Sequence, residues 1–200
     1  MLNNPAARRM ASGLIEPPAR FLLRLHVSPD AVTFFGTVGA VVSALACFPS
    51  GRFGLGVLLI ALFALSDLID GTMARMQGTS GPWGNFLDAT LDRVADGAIF
   101  GGLLMWGVFE GDAGTAAAAT LALVTGQVTS YAKARAEAVG ATANVGIAER
   151  AERLIIALFA AFLTGLGVPY VLPAALWLIG GLGVITIVQR MVEVHRQLGP

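Results

Sequence analysis

Residues 66–92 read SDLIDGTMARMQGTSGPWGNFLDATLD, directly after the apolar run FGLGVLLIALFAL at residues 53–65. An unbroken apolar segment thus ends in aspartates, turns through Gly78, Gly81 and Pro82, and re-enters apolar sequence past more aspartates. Asp67 and Asp70 are three apart, and Asp88 and Asp92 four apart, so each pair projects from one helical face. The turn between them is short, which makes the two helices antiparallel neighbours whose carboxylates can converge.

The rest of the chain fits a membrane setting. Of 200 residues, 56% are hydrophobic and 13% charged, where soluble domains carry about 25% charged residues. Mean hydropathy is +0.73. Six apolar stretches, at about 31–49, 53–73, 84–109, 115–135, 152–169 and 171–191, each approach the length that crosses a bilayer. Pro49-Ser50-Gly51, Gly111-Asp112-Ala113-Gly114, and Gly165 to Pro173 mark turns between them. The expected fold is therefore an all-α integral membrane domain over residues 28–200. Residues 1–27 precede it as an amphipathic juxtamembrane segment. There Leu14, Ile15, Phe21, Leu22, Leu23 and Leu25 alternate with Arg20 and Arg24, as in a helix lying at the interface.

Charge sets the orientation. With six spans, every Lys and Arg except Arg52 falls on the side of the two termini. The positive-inside rule makes that side cytoplasmic. The expected location is the cell (plasma) membrane, multi-pass, with the aspartates facing the cytoplasm. No basic stripe interleaved with aromatics is present, so nucleic acid is not an expected partner. The single Cys47 rules out an intrachain disulfide and a cysteine-rich metal site.

Four carboxylates at one membrane level repel, and one Asp at mid-bilayer costs about 2.5–3.5 kcal/mol on insertion scales. Divalent cations compensate most simply. All-oxygen donors select a hard ion, Mg2+ with Mn2+ as the alternative. Two ions balance four charges and clamp the oxygens of a phosphoryl displacement. Pairing with Arg75 and Arg93, or plain solvation of helix ends, is the simpler reading, but it leaves the regular spacing unexplained. A divalent-cation transporter is the reading from another class. It would place its ligands near the midplane of repeated halves, whereas these acids sit at helix ends and no repeat is visible.

The order Asp, two residues, Asp-Gly, two residues, Ala-Arg, eight residues, Gly, three residues, Asp, three residues, Asp is complete from Asp67 to Asp92. It resembles the signature of the CDP-alcohol phosphotransferase family. That resemblance implies a six-span homodimer that moves a phosphatidyl group from CDP-diacylglycerol, itself a membrane lipid, to an alcohol and releases CMP. It implies metal binding by Asp67, Asp70, Asp88 and Asp92, with Asp92 as the catalytic base on the acceptor hydroxyl. It also implies that Asp70, Gly71, Ala74 and Arg75 line the CDP-lipid site. Gly84 admits close approach of the ligand to the backbone, and Asp30 and Thr33 lie in a segment that in similar proteins approaches the cytidine. Ser28 and Pro29 in that same segment also read as a helix start.

A second cluster bears on the acceptor. Lys133, Arg135, Arg150, Arg153, Arg190 and Arg196 share the cytoplasmic side, and guanidinium forks match phosphate oxygens. The positive-inside rule alone would also put basic residues here. Ser130-Tyr131-Ala132-Lys133-Ala134-Arg135, with Glu149-Arg150-Ala151-Glu152-Arg153, resembles the actinobacterial members of the family that make phosphatidylinositol phosphate. That resemblance implies an inositol phosphate acceptor held by Ser130, Lys133 and Arg153, with Arg190 or Arg196 completing the pocket. Glycerol 3-phosphate, giving phosphatidylglycerophosphate, is the alternative acceptor.

Overall fold

A computed structural model describes residues 5–78 and 81–199; residues 1–4 of the expected juxtamembrane segment lie outside the described residues. Among the described residues all regular structure is helical: α1 (Pro5–Arg24), α2 (Pro29–Cys47), α3 (Phe53–Ala64), α4 (Ser66–Gln77), α5 (Pro82–Phe109), α6 (Ala113–Ala138), α7 (Arg150–Gly165) and α8 (Val171–Leu198). Each of the six apolar stretches is helical. Among the described residues, three helical segments are long and apolar enough to cross a membrane: Pro29–Cys47, Phe53–Gln77 and Val171–Leu198. The last two-thirds of α5 are diluted by Asp92, Arg93 and Asp96, and α6 by threonines, small residues and Gln127. Helix α7 has 16 residues, short of the roughly 20 that span a bilayer. Large side chains such as Phe35, Leu58, Leu62, Ile155 and Phe159 are exposed, an arrangement that lipid rather than water satisfies. The protein is a membrane-embedded one.

The chain forms two compact units. The first comprises Met1–Val42 and Leu59–Ala95. In it α1 packs on α4. Gly36 and Gly39 of α2 leave no room for a side chain: a Cβ would come within 1.8 Å of Ser66 Oγ and 2.4 Å of Phe63, respectively. Close backbone approach of this kind is how helices associate without a hydrophobic driving force. Ser28 caps α2, accepting from Ala31 N–H at 3.2 Å, and Pro29 takes the first turn, where its missing N–H costs nothing. Gly78 ends α4 in the left-handed region (φ 68°), its N–H turned back to the carbonyls of Ala74 and Arg75. Pro82 then starts α5; residues 79 and 80 of the expected turn between the two aspartate-bearing helices lie outside the described residues.

The second unit comprises Ser43–Leu58 and Asp96–Pro200. Helix α8 packs against α6 and α7. The buried face of α6 is Thr115, Ala118, Ala119, Ala122, Thr125, Gly126 and Thr129. Opposite it, a Cβ on Gly180 would meet Leu121 at 2.8 Å and one on Gly183 would meet Thr125 Oγ1 at 2.4 Å. The buried threonines donate to carbonyls one turn back, Thr125 to Leu121 O at 2.8 Å and Thr129 to Thr125 O at 2.7 Å, so no hydroxyl is stranded in the apolar interior. Phe48, Phe53 and Trp106 form a ring cluster, tilted for the first pair and edge-to-face for the second, with centroid distances of 5.9 Å and 5.0 Å.

Candidate active site

The aspartates lie in the first unit. Asp67 opens α4 and is exposed; Asp70, one turn on, is only 8% exposed. Its carboxylate accepts from the Thr33 hydroxyl of α2 and from the Gly71 N–H, and it stands within electrostatic reach of Asp88 and Asp30. Asp88 is exposed and Asp92 half-buried on α5. Arg93 Nη2 lies 3.9 Å from Asp92 Oδ2, and Arg75 donates to Thr72 Oγ1 at 2.8 Å. Among the described residues no three His, Cys, Asp or Glu side chains stand together at metal-ligand spacing. The donor set nevertheless fits a hard divalent ion, because it is all oxygen and because buried Asp70 faces two like charges.

Of the other residues expected at the nucleotide, Gly71, Ala74 and Gly84 are half-buried and Arg75 is exposed. Asp30 is exposed, and its carboxylate accepts from the Trp83 indole N–H of α5 at 2.9 Å. Trp83 also meets Phe86 at a centroid distance of 6.0 Å. Sequence spacing gave no sign of Trp83 as a partner of Asp30, which lies 53 positions away.

The basic residues divide sharply within the second unit. Arg153 is buried (2% exposed) and donates to Ala148 O at 3.4 Å. Its guanidinium lies beside α6, 3.8–3.9 Å from where a Cβ on Gly126 would stand. Ser130 Oγ donates to the Gly126 carbonyl at 3.2 Å. Arg190, 5% exposed, donates to Thr129 O at 2.6 Å and Val145 O at 3.0 Å. The structure therefore gathers Ser130, Arg153 and Arg190 around one turn of α6. Lys133 follows one turn later and is half-buried. Arg135 is exposed, and so is Arg196, whose side chain is 76% exposed and pairs with Glu193 at 3.8 Å. Arg150 is committed to an ion pair with Asp96 at 3.0 Å. Asp96 escaped the sequence reading, although it continues the four-residue row from Asp88 and Asp92.

The connection between α6 and α7 is pinned to α8. Gln197 exchanges hydrogen bonds with the Thr142 backbone, donating to its carbonyl at 2.8 Å and accepting from its N–H at 2.9 Å. Thr186 Oγ1 accepts from Ile147 N–H at 3.3 Å. At the start of α7, Glu149 and Glu152 form a reciprocal capping box. Arg153 and Arg190 thus sit on a backbone that is held from several sides.

A membrane-embedded helical protein with an aspartate row on two successive helices and buried arginines on two others is the architecture of a lipid phosphotransferase. The CDP-alcohol phosphatidyltransferase family model matches residues 26–189, and the chain belongs to that family. It is 46% identical over 202 residues to the phosphatidylinositol phosphate synthase of Streptomyces avermitilis, covering 97% of this chain and 83% of that one. It is 47% identical over 194 residues to the synthase of the same name from Cutibacterium acnes, covering 92% and 93%. Among solved structures it is similar to the phosphatidylinositol phosphate synthase of Mycobacterium tuberculosis with CDP-DAG bound. That match has a TM-score of 0.84 and 43% identity, and covers 90% of this chain and 92% of that one. The same protein in complex with manganese and citrate gives a TM-score of 0.86 at 44% identity, covering 89% and 87%.

Proposed function

We propose that this enzyme transfers the phosphatidyl group of CDP-diacylglycerol to a hydroxyl of inositol phosphate, giving phosphatidylinositol phosphate and CMP. The observation that carries the reading is the Ser130–Arg153–Arg190 group, in a chain similar over nearly its whole length to synthases of that name. Buried guanidinium groups held to main-chain carbonyls are preorganised for a phosphate dianion, which an uncharged alcohol would not need.

In this reading six helical spans cross the cell membrane: α2, α3 continuing into α4, and α5 to α8. Helix α1 lies at the cytoplasmic interface, and the basic residues, Arg52 apart, mark the cytoplasmic side. Asp67, Asp70, Asp88 and Asp92 would hold two Mg2+ ions, with Mn2+ able to substitute, and the metals would supply positive charge against the charge developing on the pyrophosphate oxygens. Asp30, Thr33, Gly71, Ala74, Arg75 and Gly84 surround the nucleotide. Asp92 accepts the proton of the acceptor hydroxyl as its oxygen bonds to the phosphatidyl phosphorus, and the bond from that phosphorus to the CMP oxygen breaks. Ser130, Lys133, Arg153 and Arg190 hold the acceptor phosphate. The working unit is a homodimer, as the family resemblance implies.

The test uses purified protein with CDP-diacylglycerol, Mg2+ and labelled inositol phosphate, in parallel with glycerol 3-phosphate. CMP release with inositol phosphate is expected. Release with glycerol 3-phosphate alone would transfer the reading to a phosphatidylglycerophosphate synthase. Metal flux into sealed liposomes without any CMP release would sustain the transporter instead. Asp92→Asn is expected to abolish turnover while CDP-diacylglycerol still binds.

A further inference from the structure

Arg150 opens α7, and its Nε donates to Asp96 Oδ1 of α5 at 3.0 Å across 54 positions of sequence. The Asp96 side chain is 7% exposed and that of Arg150 is 30% exposed. A buried ion pair contributes little net stability once desolvation is counted, and its best-attested use is to fix one geometry among several. What this pair fixes is the first turn of α7. Within that turn Glu149 N–H donates to Glu152 Oε2 at 2.8 Å, and Arg153 returns to the Ala148 carbonyl. Residues 148–153 are therefore internally closed, and Asp96 holds them from another helix. Arg150 and Arg153 are three apart and share a helical face.

We propose that Asp96 is a positioning residue for the acceptor: through Arg150 it sets where Arg153 presents its guanidinium to the acceptor phosphate. This rests on the acceptor-site reading given above. Two-point recognition of phosphate by a planar fork depends on alignment, and a shift of about 1 Å in a positioning group can cost up to about a hundredfold. Asp96 touches no reacting atom in this scheme. It governs acceptor affinity and leaves the chemical step and the CDP-lipid alone.

The experiment is steady-state kinetics on Asp96→Asn, Asp96→Glu, Arg150→Gln and the Asp96→Asn/Arg150→Gln double variant, with Arg153→Gln alongside. The acceptor is whichever phosphorylated alcohol the unmodified enzyme uses. Asp96→Asn is expected to raise the acceptor KM about tenfold, with kcat and the CDP-diacylglycerol KM within about twofold. Asp96→Glu, which keeps the charge, recovers most of the loss. The double variant is no worse than Arg150→Gln alone, because the two residues act as one unit. An unchanged acceptor KM in Asp96→Asn, or equal losses for both substrates, overturns the inference. Additive losses in the double variant do so too. If Asp96→Asn does not fold, Arg150→Gln, which breaks the same pair from the other side, carries the same KM-against-kcat comparison. Arg153→Gln separates the two levels of argument. If it leaves the acceptor KM unchanged, the acceptor site itself has been misplaced. If it raises that KM while Asp96→Asn does not, only the positioning role falls.

Discussion

The Thr33 hydroxyl of α2 donates to the Asp70 carboxylate of α4, and both side chains are 8% exposed. A neutral donor orients a carboxylate without cancelling its charge, so the anion stays available to a cation while its lone pairs are partly satisfied. Beside the nucleotide role proposed for it, Thr33 thus touches the most buried member of the aspartate row. Hydrogen bonds to charged groups contribute about 1.5–3 kcal/mol. Thr33→Val is accordingly expected to raise the Mg2+ concentration for half-maximal activity by about tenfold or more, and Thr33→Ser to restore it. The readout is a Mg2+ titration of CMP release at saturating substrates. An unaltered titration in Thr33→Val would remove this support role.

Trp83 holds Asp30 in a comparable way, through an indole N–H at 2.9 Å. Trp83→Phe keeps the ring against Phe86 and deletes only the donor. The bond is exposed, so its loss is worth about 0.5–1.5 kcal/mol. The CDP-diacylglycerol KM is expected to rise by roughly two- to tenfold, with the acceptor KM unmoved. A rise in the acceptor KM instead would show that the α2–α5 link does not serve the nucleotide.

Apolar stretches made the helices legible in the sequence but not their ends. Helix α8 runs on to Leu198 and α6 to Ala138, past the apolar limits of 191 and 135, because charged residues end a membrane segment without ending a helix. The aspartate row was legible because its members are three and four residues apart, and helical periodicity alone puts Asp67 with Asp70, and Asp88 with Asp92, on one helical face. Long-range partners were not. Asp96 and Arg150 lie 54 positions apart, and Thr33 and Asp70 lie 37 apart. Charge counting places Arg150 with the acceptor group, and the structure adds a donation from its Nε to Asp96. No periodicity encodes such a pairing, which depends on how two helices are set side by side.

Asp112 offers a test outside the membrane segments. It caps α6, accepting from Thr115 N–H at 3.0 Å and Thr115 Oγ1 at 2.5 Å. The Thr115 hydroxyl first, and then the backbone N–H groups, hold its carboxyl below the ordinary aspartate range. A carboxyl depressed by folding stabilises the fold above its unfolded pKa and loses that contribution as pH falls through the folded value. Asp112→Ala is expected to cost about 1 kcal/mol at neutral pH, the usual worth of such a cap. The deficit should shrink on acidification below the normal aspartate pKa. Thermal melts of both proteins in detergent at neutral and acid pH measure this; a deficit that grows in acid contradicts the assignment.

Arg190 and Arg196 were equal candidates by charge and side, and their surroundings now separate them. The Arg190 guanidinium is fixed to the Thr129 and Val145 carbonyls beside Ser130 and is buried. Arg196 is exposed beside Glu193, where an ion pair is worth little. A phosphate bound by Arg190 meets a charge with its orientation already fixed, so less ordering cost is charged against binding. Arg190→Lys keeps the positive charge but loses the planar fork and at least one carbonyl link. It is expected to raise the acceptor KM by about tenfold or more, with the CDP-diacylglycerol KM unchanged. Arg196→Gln is expected to shift neither by more than about twofold at moderate ionic strength. The comparison is made in one assay, varying each substrate in turn. Equal effects from the two variants would mean that the acceptor responds to the net charge of this face, and not to a site built on α6.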